Sequence, residues 1–311
     1  MTEKNVDVKH DNIVEEKISE EQQQILTPWK LVRRKFMKRT SSVIALIVLI
    51  IIILAVALAP VISKYDPYSY DFSRAKQPPS KEHILGTDEL GRDYFARVLY
   101  GGRVALQVGI FSVIIQIIVG SIIGGIAGYY GGWIDNVLMR ITEVFMSLPF
   151  LPLVITISAV VGTSVPPEYK MYLVMVVLGL LSWPGLARIV RGQILSLREQ
   201  EFILAAKALG IRNSRIILRH LIPNTVGYIV VNATLGVASA ILQESALSFL
   251  GLGVAPPVPT WGNLIQYARD MYNLQHRPWL WIPPGLCIFA TVMCINLIGD
   301  GLRDAIDPKS K

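Results

Sequence analysis

Six predominantly apolar runs, each close to the length needed to cross a bilayer, constrain this chain more than any other feature. They fall at residues 43–62, 104–129, 137–161, 171–187, 224–243 and 279–298. At about 1.5 Å of rise per residue, the first reaches roughly 30 Å, the thickness of a bilayer's hydrocarbon core. Lipid offers no partners to unpaired backbone groups, so such runs fold as helices; a barrel would show short alternating segments instead. The expected fold class is therefore all-α, a polytopic membrane protein with about six transmembrane helices. Only 17% of the residues are charged, against about 25% in soluble domains, which agrees with much of the chain meeting lipid. A signal peptide is the rival reading of the first run. Its apolar region spans only about 7–15 residues near the N-terminus, and Ala55-Val56-Ala57 resembles a cleavage site only weakly.

Charge gives the expected orientation. The net charge is +7, and the basic residues cluster beside apolar runs. That pattern suits cytoplasmic loops over anionic lipid better than nucleic acid. Lys30, Arg33, Arg34, Lys35, Lys38 and Arg39 precede the first run, and only Lys64 directly follows it. The positive-inside rule then puts the N-terminus in the cytoplasm, and six spans return the C-terminus there. The loop between spans four and five also falls inside, with Arg188, Arg191, Arg198, Lys207, Arg212, Arg215 and Arg219. The first outer loop carries several Lys and Arg too, so the orientation rests mainly on the first span and on that later loop. The expected division is a cytoplasmic tail with its basic stretch (1–40), a first span (41–63) and an extracytoplasmic loop (64–103). A membrane core follows (104–300), with a cytoplasmic loop at 188–222 and a C-terminal tail at 301–311. Residues 1–26 are too polar to bury and read as a disordered tail.

Polar and special residues inside the spans are few. Gly120, Gly124 and Gly128 make a smooth stripe on one face of the second span, fit for close helix packing or for a flexible gate. Pro149, Pro152, Pro184 and Pro283–Pro284 can kink their helices. Gln107, Gln116, Asn232, Gln243 and Glu244 are candidates to line a polar path, with interhelical hydrogen bonding as the competing role. Glu143 and Glu244 sit near span ends, where the cost of an intramembrane carboxylate falls. No relay of acids and histidines crosses the membrane, which argues against a proton-coupled carrier. Cys287 and Cys294 stand two turns apart in one run, too far for a disulfide, and read as small packing residues. No pair among His10, His83, His220 and His276 has metal-ligand spacing, so no metal site is expected. The chain has no H-E-x-x-H and no G-x-S-x-G, so a membrane metalloprotease or serine hydrolase is disfavoured and no catalytic residue is expected.

The loop between spans four and five is the most informative segment. Ile194, Leu197, Phe202, Ala205, Ala206 and Leu209 recur at helical spacing, which predicts a helix over 194–209 stopped by Gly210. Asn213 or Ser214 is positioned to cap a second helix, and Pro223 to break it and open the fifth span. Such a basic, small-residue-rich elbow could lie on the membrane surface or dock into a soluble partner.

Here the residues resemble a known family. Ala205-Ala206-Lys207-Ala208-Leu209-Gly210, then nine residues, then His220-Leu221-Ile222-Pro223, resembles the EAA loop of bacterial ABC-importer permeases. In that family the loop forms the coupling helix that fits a groove on the ATPase subunit. The resemblance assigns ATPase coupling to Leu204, Ala205, Ala206, Lys207, Ala208, Leu209, Gly210, His220 and Pro223. Leu204 stands where the motif's glutamate is expected and His220 where isoleucine is common, changes typical of the peptide-permease branch. Segments 83–93, 244–253 and 296–304 resemble further signatures of the C-type subunit of dipeptide and oligopeptide permeases, and the likeness spans residues 28–308.

It implies a type I ABC importer permease in the plasma membrane, with no cofactor bound by this chain and ATP and Mg held on partner ATPase subunits. The implied partners are a B-type permease subunit, one or two cytoplasmic ATPase subunits, an extracytoplasmic peptide-binding protein and membrane lipid, with no nucleic acid. Oligopeptide is the first expected cargo, dipeptide the second, and nickel or another small solute a distant third. Independently of the resemblance, the chain lacks a G-x-x-x-x-G-K-[ST] phosphate loop. An ion-coupled carrier or channel is the alternative.

Overall fold

The protein is described from a computed structural model covering residues 28–306. The N-terminal tail and the last residues of the C-terminal tail lie outside the described residues. The described residues are almost entirely helical and hold no strand beyond one isolated bridge between Thr87 and Asp93.

Helix α1 (Pro28–Lys38) carries the basic stretch and leads into α2 (Thr40–Ala57), the first span. The second span, α3 (Tyr94–Tyr130), begins ten residues before the apolar run suggested. The reason is a cap: the Asp93 carboxylate accepts the Ala96 amide at 2.7 Å, which starts the helix within what reads as outer loop. The run at 137–161 is not one straight span. It forms α4 (Gly132–Ser147) and α5 (Phe150–Gly162), bent by 84° at Leu148–Pro149. Pro149 has no amide hydrogen to continue the ladder of α4 and stands in extended conformation before the first turn of α5.

The fourth span, α6 (Lys170–Leu197), runs ten residues past its apolar run and carries Pro184 inside it. A short helix, α7 (Glu201–Ala208), follows. Next comes a helical stretch from Asn213 to Phe249, whose main part is α8 (Ile222–Phe249). The last span is α9 (Ile282–Ile306), which extends into the segment read as C-terminal tail. Among the described residues five helices are long and apolar enough to cross a membrane, and the bent α4–α5 pair makes a sixth span if counted as one.

The centre of the bundle is the pairing of α3 with α6. In lipid no hydrophobic drive pulls two helices together, so they associate by backbone proximity and packing. The glycine stripe supplies that proximity. A Cβ on Gly124 would collide with the Ala187 carbonyl, and one on Gly128 would stand 2.9 Å from that of Arg191. This favours packing over a flexible gate as the stripe's role. Helix α8 packs against α3, α6 and α9, and α9 against α2. The Arg39 guanidinium meets Asp304 and ties the start of the first span to the end of the last. Both cysteines are free, with Cys294 packed against Ala45 and Ile298.

The segments before α3 and between α8 and α9 form a cap over the start of α3. Asp88 is fully buried between Arg92 (2.7 Å) and Arg97 (3.5 Å). His83 Nδ1 lies 2.8 Å from Asp93. The Tyr94 hydroxyl donates to carbonyls of Leu264 and Leu280, and the Trp261 indole to that of Val98 at 2.9 Å.

Candidate coupling helix and membrane cavity

The elbow is built from its two ends. Helix α6 stops at Leu197, and the expected single helix over 194–209 is divided there. Ile194 and Leu197 belong to α6, a turn follows, and Gln200 in extended conformation opens α7. The turn is held from below, because the Arg198 guanidinium reaches the Gly128 carbonyl at 3.1 Å. Two helical turns earlier, Arg191 of α6 grips Asp135 of α4 through two bonds of 2.5 and 2.6 Å. Bidentate guanidinium–carboxylate pairs fix orientation as well as distance, so the C-terminal end of α6 is locked to α4.

Helix α7 ends on Gly210, whose φ of +72° is the left-handed conformation that glycine alone adopts without strain. Around it Gly210 N–H bonds Lys207 O at 2.9 Å and Ile211 N–H bonds Ala206 O at 3.2 Å, the two bonds of a Schellman stop. The chain then turns back at Arg212, which occupies the cap position without a side-chain bond. Neither Asn213 nor Ser214 caps: both are already helical or used elsewhere, since Asn213 accepts the Tyr129 hydroxyl at 2.7 Å. Nor does Pro223 break the helix. A π-helical turn, Ile217–Leu221, precedes it, and Pro223 falls in the first turn of α8, where a missing amide hydrogen costs least.

The faces of α7 are sharply divided. Ile203 and Ala206, three apart, are buried in a core with Tyr129, Ile194, Ile216 and Leu221. Burying Ile203 alone contributes about 1.5–3 kcal/mol by transfer scales. Lys207 lies along the membrane domain with its ammonium 5.3 Å from the Tyr129 ring centre. The other face holds Phe202, Leu204 (49% exposed), Ala205, Ala208 and Leu209 (80% exposed), apolar and uncovered among the described residues. His220 is half-buried, with its carbonyl accepting from the Asn224 side chain at 2.5 Å, and Pro223 is exposed. The nine residues assigned by resemblance therefore sit on one elbow, although only some of them face outward.

A second feature lies within the bundle. A cavity of about 400 Å³ opens between α3, the α4–α5 bend, α6 and α8. Gln116, Asn232 and Gln243 line it together with Ser182 and Ser239, and no charged side chain does. Gln116 donates to Asn232 at 3.3 Å across the α3–α8 contact. Two of the five path candidates lie elsewhere. Gln107 is exposed on the outer surface of α3. Glu244 is fully buried beneath the cap over the start of α3, where the Ser248 hydroxyl donates to it at 2.6 Å. A neighbouring cavity of about 450 Å³ shares Asn232 and Leu235 with the first and continues to Tyr228 and Arg303. Along α8 the residues 228, 232, 235, 239 and 243 thus form one stripe past both cavities.

Sequence reasoning missed Tyr129, Asp135 and Arg198, which hold the elbow in place. Tyr129 carried a weak signal, an aromatic pair before Gly131-Gly132 at a span's end. The Asp135–Arg191 pair bridges 56 positions and carried none.

A bundle of spans with a polar cavity along one helix, and an apolar elbow presented outside it, is an arrangement that suits a transport permease. Among the described residues no cluster of His, Cys, Asp or Glu could hold a metal. The chain belongs to the family of binding-protein-dependent transport system inner membrane components, which it matches over residues 104–311. Residues 27–79 match the N-terminal TM domain of oligopeptide transport permease C.

Among its relatives, the dipeptide transport system permease protein DppC of Alkalihalophilus pseudofirmus is 41% identical over 94% of this chain and 93% of its own length. The oligopeptide transport system permease protein OppC of Escherichia coli K12 is 43% identical over 91% and 92%. The glutathione transport system permease protein GsiD of an E. coli O6 strain is 40% identical over 93% of each. The protein is thus a multi-pass ABC-importer permease of an inner-membrane transporter family.

Proposed function

We propose that this chain is the C-type permease subunit of an ATP-driven peptide importer, oligopeptides first and dipeptides second. In this reading it forms half of the pore beside a B-type subunit. Separate ATPase subunits grip α7 and hold the ATP and Mg, and an extracytoplasmic binding protein delivers the peptide. The chain itself binds no cofactor. Both termini and the elbow face the cytoplasm, in keeping with the basic residues of α1 and of segment 188–219.

The observation that carries the reading is the divided face of α7. Ile203 and Ala206 plug into the bundle while Leu204, Ala205, Ala208 and Leu209 project outward. A helix so seated transmits a push at its outer face to α6 and α8 as a rigid body. ATP-driven closure of the ATPases would move α7, and through it the helices that line the cavity. The neutral amide and hydroxyl lining supports peptide cargo, because it offers hydrogen bonds to any backbone without selecting side-chain charge. The names of the relatives, which speak of dipeptide, oligopeptide and glutathione transport, support the same cargo class.

The test is uptake by the complete assembly in proteoliposomes. Accumulation of a labelled oligopeptide should require both ATP on the elbow side and binding protein on the opposite side. Accumulation driven by an ion gradient without ATP would refute the reading and favour the carrier alternative.

A further inference from the structure

Away from the cavity, α3 and the start of the α8 stretch enclose an apolar groove of about 590 Å³. Ile118, Ile122 and Ile126 form one wall, and Leu218, Ile222 and Val226 the other. It faces about 100° round α8 from the Asn232–Gln243 stripe, judged by helical phase. It therefore opens away from the proposed pore.

The two ends of the groove differ. Its deep end, at Ile117 and Ile229, is aliphatic apart from Ser121 and lies well inside the span. Its other end carries Tyr130 and Ser214, at the level where Tyr129 bonds Asn213. Arg215 and Arg219 follow on the same turns, with Arg212 just before. All three are exposed, and none has a carboxylate within ion-pair distance among the described residues. No acidic residue lines the groove. From Ile117 to Tyr130 the helix rises roughly 20 Å, about one leaflet of a bilayer that is about 40–45 Å thick with its headgroups.

An apolar slot about one leaflet deep, whose polar end at Ser214 and Leu218 is flanked in the chain by the exposed, unpaired Arg212, Arg215 and Arg219, suits an anionic amphiphile. We infer that the groove is a binding site for an anionic phospholipid, with an acyl chain along Ile118–Ile126 and the phosphate against Arg215 and Arg219. A soluble partner could satisfy the arginines but could not reach Ile117. Uncharged lipid could fill the slot but would leave the arginines unpaired. Because the π-helical turn forms part of the wall, the lipid would brace the hinge between α7 and α8.

The test uses the assembled transporter in nanodiscs of phosphatidylcholine, with Leu218→Trp as a reporter at the rim and the parent's own tryptophan signal subtracted. Phosphatidylglycerol brominated in its acyl chains should quench the reporter with at least about fivefold higher relative affinity than brominated phosphatidylcholine. The double variant R215Q/R219Q should bring the two lipids to parity. Equal quenching by both lipids in the Leu218→Trp protein with its arginines intact, or a preference indifferent to the arginines, would overturn the site and leave only bulk lipid. No quenching by either lipid would show the groove covered by another subunit, and would overturn it too. If Leu218→Trp fails to assemble, native mass spectrometry of the unsubstituted complex decides. Retained phosphatidylglycerol that R215Q/R219Q releases supports the site, and no preference over phosphatidylcholine refutes it.

Discussion

Replacing Ala205 by arginine is expected to reduce ATP-dependent uptake by about 30-fold or more while leaving the chain folded and assembled in the membrane. Ala205 projects from α7 between the two buried residues, Ile203 and Ala206, but touches neither the seat nor the cavity. Arginine is nearly as good a helix former as alanine, so α7 survives the change. At the centre of a docked face, a long cation instead of a methyl group separates the surfaces. Losing a central contact costs about 2 kcal/mol or more, and each 1.4 kcal/mol is tenfold. A change at Gly210 would test the same contact less cleanly, since any side chain there adds the strain of φ +72°. Uptake by A205R proteoliposomes, compared with A205S and normalised to incorporated protein, reads the effect. Uptake within about twofold of the parent would show that this face is not docked.

The second large effect is expected at the opposite end of the molecule. Asp88→Asn should destabilise the fold by about 3–5 kcal/mol, the usual penalty for stranding buried charge. The Asp88 carboxylate accepts the Leu90 and Arg92 amides at 2.9 and 3.0 Å, and it lies against the guanidinium groups of Arg92 and Arg97. Asparagine keeps the shape but turns an amide donor toward two cations that are themselves buried. The local field is already felt nearby. The Tyr267 phenol is pushed up to about 12, by burial first and by the Asp88 charge second. Loss of the cap would free the start of α3, since Asp93 and Tyr94 anchor in the same knot. Thermal unfolding of the detergent-solubilised complex checks this, with unchanged stability in D88N as the contrary result.

What the sequence disclosed and what it withheld divide along a physical line. Apolar runs are local, so the spans and the helical class were legible, and the glycine stripe marked a face of the second span fit for close packing without naming its partner. The ends of helices were less so. The Asp93 cap moved the start of α3 outward by ten residues, and Pro149 turned one expected span into two helices at 84°. Proline announces a disturbance but not its angle, which tertiary packing sets. At the elbow, the alternation of small and apolar residues predicted a helix and Gly210 its stop. The break at Arg198–Gln200 escaped because it depends on the Gly128 carbonyl, seventy positions away. Glu244 looked like a path residue only because a strip of sequence does not reveal that the cap folds over it.

The central claim is mechanical: α7 is the joint through which an ATPase moves this bundle. The most direct measurement is disulfide trapping from a single cysteine at Ala208, in a chain whose Cys287 and Cys294 are replaced by alanine, assembled with ATPase subunits carrying cysteines along their grooves. The account predicts efficient crosslinking to the ATPase whose yield changes between nucleotide-free and ATP-bound states, and no labelling of the cysteine by an impermeant thiol reagent added outside the cell. A cysteine that never meets the ATPase, or one that the external reagent reaches, would contradict it.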